Sequence, residues 1–137
     1  MQSTMKAWSV TSLGEPKDVL QLVDAPTPEP GPRQVLVRVL ASAANFPDVL
    51  LCRGLYQIKP ELPFTPGSEL CGEVVAVGSE VTRLAVGQRV LGLCALPYGG
   101  FAELAVMDEH TTYPAPASLD DAQAASLFIG YQTGWFS

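Results

Sequence analysis

Gln34-Val35-Leu36-Val37-Arg38-Val39-Leu40-Ala41-Ser42-Ala43-Ala44-Asn45-Phe46-Pro47-Asp48-Val49-Leu50-Leu51-Cys52-Arg53-Gly54 holds the change of period that decides the fold. Over Gln34 to Ala43, Val35, Val37 and Val39 take one face and Leu36, Arg38 and Leu40 the other, which is the alternation of a β-strand. Both faces are mostly apolar, so the strand is expected to be covered on both sides. From Asn45 to Gly54 the pattern becomes that of a short helix. Pro47 suits its start, Gly54 suits its stop, and Asn45 sits at the strand-to-helix corner.

Outward from this stretch the chain reads as short strands. Met5 to Val10 and Leu20 to Asp24 are candidates on the N-terminal side. Between Ala25 and Pro32, prolines at alternate positions cannot donate ladder hydrogen bonds, so an extended surface loop is expected. On the other side, Leu62 to Gly67 is irregular, Leu70 to Val77 is a valine-rich strand, and Arg89 to Leu93 and Phe101 to Met107 are further strands. Ser118-Leu119-Asp120-Asp121 then reads as a helix cap with an acid three residues on. Ala122, Ala125, Phe128, Ile129, Gln132, Thr133 and Phe136 recur near helical spacing. That last helix reaches Ser137 without a stop signal, with Trp135 and Phe136 beside the end, and the expectation is a chain cut from a longer one.

Six or seven short strands with two helices make a mainly β domain with a small barrel-like core. Strand and long helix do not alternate before the end, so no doubly wound dinucleotide domain is expected within these residues.

Composition narrows the function. The 137 residues are 47% hydrophobic and 16% charged, enough apolar matter for one real core. Eight Lys and Arg against 14 Asp and Glu give a net charge of −6, without the basic footprint of a nucleic-acid partner. No apolar run reaches the ~18 residues of a membrane span, and no signal peptide is evident, so no membrane partner is expected. Cys52, Cys71 and Cys94 are odd in number and widely spaced, which points to a reducing, cytoplasmic setting and to small buried hydrophobes. His110, the single histidine, beside Glu109 after a strand, is expected at the surface.

Several segments in one order carry a resemblance. Asn45-Phe46-Pro47-Asp48 resembles the N-F-x-D signature of the zinc-independent medium-chain dehydrogenase/reductases, the quinone oxidoreductases in particular. Arg53-Gly54-Leu55-Tyr56 looks like their R-G-x-Y segment, and Pro66-Gly67-Ser68-Glu69 like their P-G-x-E corner. Gly72 to Val90 and Gly100-Phe101-Ala102-Glu103 resemble two of their strands, and Gly130-Tyr131-Gln132-Thr133 their G-x-x-T helix segment. The resemblance implies a GroES-like, partly open β-barrel over residues 1–117. Residues 118–137 would then begin a linking helix towards a Rossmann domain outside this chain. It also implies NADPH as cofactor, held mainly by downstream residues, a quinone or α,β-unsaturated carbonyl as substrate, and a homodimer when intact.

The zinc-dependent sister branch carries Cys where Asn45 stands and His where Ser68 stands. Catalytic zinc needs three N, S or O ligands around an open position, and here an amide and a hydroxyl hold two of those places. No metal site is expected.

Hydride transfer to a quinone asks the protein to position, desolvate and polarise. The charge that develops on the acceptor oxygen can be met by a neutral donor, an amide NH2 or a phenol OH. By the resemblance, Asn45 and Tyr56 would be catalytic, and Asn45 and Thr133 would bind cofactor. Each has a plainer reading too: Asn45 as a helix cap, Tyr56 as a loop residue at the barrel mouth, Thr133 as a helix-interface residue. Phe46 and Tyr98 would line an apolar acceptor slot, or else serve packing. Asp48, Arg53 and Glu69 would support the site, Asp48 by capping helix amides or pairing with Arg53, Glu69 by accepting from backbone or Arg53. Two rivals stand beside the quinone reductase: an enoyl or acryloyl thioester reductase on the same scaffold, and a non-catalytic GroES-like module.

Overall fold

A computed structural model describes the backbone of residues 2–136 and the side chains of residues 2–129. Among the described residues, β1 (Thr4–Val10) and β2 (Leu20–Pro26) form an antiparallel pair joined through one turn of helix, α1 (Pro16–Val19). β3 (Gln34–Ala43) turns into α2 (Phe46–Arg53), and β4 (Glu69–Val77), β5 (Arg89–Cys94), β6 (Leu104–Pro114) and α3 (Asp121–Phe136) follow. β3, β4, β5 and β6 form a closed barrel in that order, antiparallel throughout. The mainly β fold is the expected one, but the barrel is not partly open: β6 is long enough to pair with both β5 and β3.

The β3 valines fill the barrel. Val35 and Val37 pack there with Leu70, Val74, Val90 and Met107, all fully buried. Leu36 points the other way and is buried with Met5, Ala7, Leu104 and Val106, beneath the β1–β2 pair. Cover on both faces ends there. Arg38 and Leu40 are exposed, because the two-stranded sheet is shorter than β3.

α2 begins and ends where its punctuation directs. Gly54 takes the left-handed conformation at φ 72°, and the N–H groups of Gly54 and Leu55 reach back to the carbonyls of Leu51 and Leu50. This is a Schellman closure, which a residue with a Cβ disfavours. Leu51 and Cys52 anchor the helix against Val10, Val19 and Phe64.

Two boundaries differ from the sequence reading. β6 starts at Leu104 rather than Phe101, because Phe101 and Ala102 are drawn to β1: Phe101 O accepts from Trp8 N–H at 2.8 Å and Ala102 bridges Ala7. β6 then runs on to Pro114, so His110 lies inside a strand, exposed. The cap of α3 is Asp120, not Ser118. Asp120 Oδ1 accepts from Gln123 N–H at 2.7 Å, and Gln123 Oε1 accepts from Asp120 N–H at 3.0 Å, a reciprocal capping box. Ala124 and Ala125 seat α3 on Cys71 and Leu91 of the barrel wall. Arg89 fixes its entry, bonding Asp121 Oδ1 at 3.0 Å and the carbonyls of Leu119 and Pro116.

Candidate functional site

The corner where β3 gives way to α2 also meets the start of β4 and the inner face of α3. Asn45 is the N-cap residue of α2, extended at φ −125° and ψ 164°, and its side chain makes no capping hydrogen bond. The capping box it forms with Asp48 is closed from the other side. Asp48 Oδ2 accepts from Asn45 N–H at 2.9 Å, while Asp48 N–H donates to the Asn45 backbone carbonyl at 3.0 Å. Asp48 Oδ1 accepts three further hydrogens at 3.0 Å each, from Gly67 N–H, Ser68 N–H and Ser68 Oγ–H. The carboxylate is buried and joins α2 to the irregular approach to β4. Its work is structural, and it does not pair with Arg53.

The Asn45 amide turns towards Glu69. Asn45 Nδ2 donates to Glu69 Oε2 at 3.1 Å, with a longer contact of 3.5 Å to the Ala43 carbonyl. Glu69 is 1% exposed, and its other oxygen, Oε1, accepts from Ile129 N–H of α3 at 2.8 Å. A single chain of bonds therefore links the β3–α2 corner, the first residue of β4 and the helix that seats on the barrel.

Beside this chain of bonds lies a cavity of about 410 Å³. Pro47, Tyr56, Ile58, Ser68, Leu93, Cys94, Leu96, Phe128 and Ile129 line it. The walls are apolar and the few polar groups come from Tyr56 and Ser68, the usual make-up of a small-molecule site. β5 supplies one wall through an irregularity in its pairing with β6. Gly92 pairs with Thr112, yet Cys94, two residues on, pairs with Met107. Gly92 sits at φ 150°, and a Cβ there would stand 2.1 Å from the Thr111 carbonyl oxygen, so only glycine fits.

A larger cavity, about 570 Å³, lies on the β1–β2 face between Trp8, Leu22 and Phe101. Its charged side chains are engaged in place: Glu103 Oε1 accepts from Lys6 N–H at 2.6 Å and Lys6 Nζ pairs with Asp24 at 2.6 Å. Among the described residues no free polar group converges there, which leaves the smaller cavity as the candidate site.

The residues singled out from sequence sort unevenly. Asn45, Asp48, Glu69 and Tyr56 come together at the corner and the cavity. Arg53 does not join them: on the outer side of α2 it makes a two-pronged ion pair with Glu15, at 2.9 and 3.0 Å. Neither Asp48 nor Glu69 takes it as a partner, because both are buried on the opposite side of the helix start. Phe46 is 66% exposed and lines no wall of the cavity. Tyr98 lines a different groove, with Met5, Thr27, Pro63 and Pro97. The side chain of Thr133 lies outside the described residues. Leu93, Cys94, Leu96 and Phe128 were not anticipated as walls. The β5 irregularity that delivers Cys94 depends on pairing with a strand more than ten residues away, which no local pattern announces.

The thiols are held neutral. Burial, with the Asp48 charge adding to it, pushes Cys94 up to about 12, and burial likewise raises Cys52 and Cys71. Among the described residues no cluster of three His, Cys, Asp or Glu side chains is placed to hold a metal ion. At the corner the candidate donors are an amide, a hydroxyl already bonded to Asp48, and a carboxylate whose oxygens already accept two hydrogen bonds. That set does not fit a tetrahedral catalytic zinc.

Comparison with known proteins places this geometry. The alcohol dehydrogenase GroES-like domain family matches residues 31–117. A quinone oxidoreductase-like protein 2 homolog of Nematostella vectensis is 50% identical over 105 residues, covering 77% of this chain and 28% of that protein. The solved quinone oxidoreductase of Pseudomonas syringae superposes with a TM-score of 0.86 at 38% identity, over 94% of this chain and 39% of that one. A Mesorhizobium loti protein assigned as an NADPH:quinone reductase superposes with a TM-score of 0.89 at 27% identity, over 98% and 43%. The chain therefore spans less than half the length of the relatives it matches.

Proposed function

This chain belongs to the alcohol dehydrogenase GroES-like domain family, among the quinone oxidoreductases of the medium-chain dehydrogenase/reductases, and we propose that it forms the catalytic part of a zinc-independent NADPH:quinone reductase. Residues 1–117 are the catalytic unit in this reading, and residues 118–137 begin the link to a Rossmann domain that carries most of the NADPH site. The intact enzyme is a cytoplasmic homodimer acting on a small quinone or related α,β-unsaturated carbonyl. No helix among the described residues is long and apolar enough to cross a membrane.

One observation carries the reading. The cavity is apolar with the neutral hydroxyls of Tyr56 and Ser68 on its walls, and the carboxylate at the corner beside it, Glu69, is already engaged in two hydrogen bonds. A flat, uncharged acceptor suits such walls. NADPH, when bound, supplies the hydride. Reducing a quinone to its hydroquinone takes that hydride and one proton, and the proton comes from solvent to the acceptor oxygen. The apolar walls (Leu93, Leu96, Phe128, Ile129) exclude water from the acceptor's ring and hold it against the reductant. Tyr56, half-buried on the cavity wall, offers its hydroxyl as the hydrogen bond to the oxygen that gains charge. Asn45, at the corner beside the cavity, would meet the cofactor, and Thr133 is the second cofactor residue that the family resemblance implies. Asp48 and Glu69 hold the corner together.

The test is direct. The full-length protein should oxidise NADPH with a benzoquinone and keep that activity under a chelator. Activity lost to chelator and restored by zinc would overturn the proposal. Stronger turnover of an enoyl thioester than of any quinone would replace the acceptor class with the thioester.

A further inference from the structure

Resting on that reading, we infer that Glu69 is the positioning residue of the site, fixing which end of the Asn45 amide a bound molecule meets. Glu69 is 1% exposed, and among the described residues no Lys, Arg or His pairs with it. A carboxylate buried against neutral donors alone is an expensive choice, and an amide or apolar residue of similar size would cost less. Its two bonds explain its presence. Ile129 lies inside α3, and its N–H donates at 2.8 Å to Glu69 Oε1, an acceptor that reaches it from β4. This bond fastens the helix to the corner.

The second bond sets polarity. A carboxylate only accepts, so the atom of Asn45 that faces Glu69 Oε2 at 3.1 Å must be the NH2 nitrogen. The other amide hydrogen is directed to the Ala43 carbonyl at 3.5 Å. One hydrogen is thereby committed to Glu69 and the other is turned towards Ala43. The carbonyl oxygen stands on the Asp48 N–H side of the capping box, but that N–H makes its 3.0 Å hydrogen bond to the Asn45 backbone carbonyl, so the side-chain oxygen is the end left for a ligand. Asn45 is then a hydrogen-bond acceptor for a hydroxyl or an N–H of the bound pair, not a donor to the acceptor's oxygen. The donor role expected of its NH2 passes to Tyr56.

A polarity swap in the full-length protein tests this. E69Q keeps the shape and the acceptor for Ile129 but turns a donor towards Asn45, so the amide must rotate and present its NH2 outward. N45D sets two carboxylates face to face. Each single variant is expected to lose roughly 10- to 100-fold in kcat/KM. The double variant N45D/E69Q restores one donor and one acceptor between the positions and again leaves an oxygen outward, at unchanged net charge. It should recover to within about fivefold of wild type, a coupling read as a double-mutant cycle. E69Q is expected to melt near the wild-type temperature, which separates polarity from general loss of structure. Wild-type kcat/KM in E69Q, or a double variant no better than the worse single, would overturn the inference. If the wild-type protein oxidises no NADPH with any acceptor, the functional reading fails instead. The same cycle read from melting temperatures needs no substrate, and additivity there would overturn the Asn45–Glu69 pairing by itself.

Discussion

Asp48 spends its two oxygens on four hydrogens, three of them from backbone N–H groups. Truncation leaves those donors without an acceptor in a buried place. Asp48→Ala should therefore cost about 3 kcal/mol or more, since each orphaned buried donor carries a penalty of ~1–3 kcal/mol. Asp48→Asn should cost less, because a carboxamide oxygen can still serve Gly67 and Ser68 while its NH2 opposes the Asn45 N–H. Urea denaturation of the full-length protein measures both, and a cost for Asp48→Ala below about 1 kcal/mol would refute the role. This residue's place at a helix start could be read from Asn45-Phe46-Pro47-Asp48 alone, since capping is a local affair. The partner of Arg53 could not. Glu15 lies 38 residues away, and only the packing of α1 beside α2 brings it within reach.

The elements divide in the same way. β3 and α2 were legible nearly to the residue, because alternation, proline and glycine act within a few positions. The start of β6 was not. Phe101 and Ala102 carry strand-like chemistry but pair with β1 rather than within the barrel, a tertiary preference. The α3 cap was misplaced because Ser118 and Asp120 each have a partner three residues on, and Arg89, from another strand, fixes which one starts the helix. The β5 irregularity supports a prediction at this scale. Gly92→Ala would force a Cβ within 2.1 Å of the Thr111 carbonyl oxygen, at a backbone angle a side chain resists. The strand must shift, and a loss of about 3 kcal/mol or more is expected, as for overpacked positions. Because Leu93 and Cys94 follow directly, KM for the acceptor should rise as well. A variant as stable as wild type, with unchanged KM, would show that the irregularity does not shape the cavity.

For the whole molecule, the expectation is division of labour. The 137 residues hold the candidate cavity but no G-x-G-x-x-G loop opening a helix, the feature that cradles a dinucleotide pyrophosphate. This chain alone should bind NADPH no more tightly than roughly millimolar, an affinity worth only ~4 kcal/mol. Titration followed by calorimetry measures it, and a micromolar constant would mean that the nucleotide site lies here after all. Barrel closure has a consequence for the molecule's neighbours. Every barrel strand finds a partner on both sides, so the chain shows the outside world few bare peptide groups ready to template another strand. Among the described residues the outer rim of β2 remains open, and it is brief: seven residues, halted at Pro26, with prolines recurring at every second position as far as Pro32. An apolar slot that stays open is sticky, and a scaffold that offers amyloid-like stacking so little to build on can tolerate it.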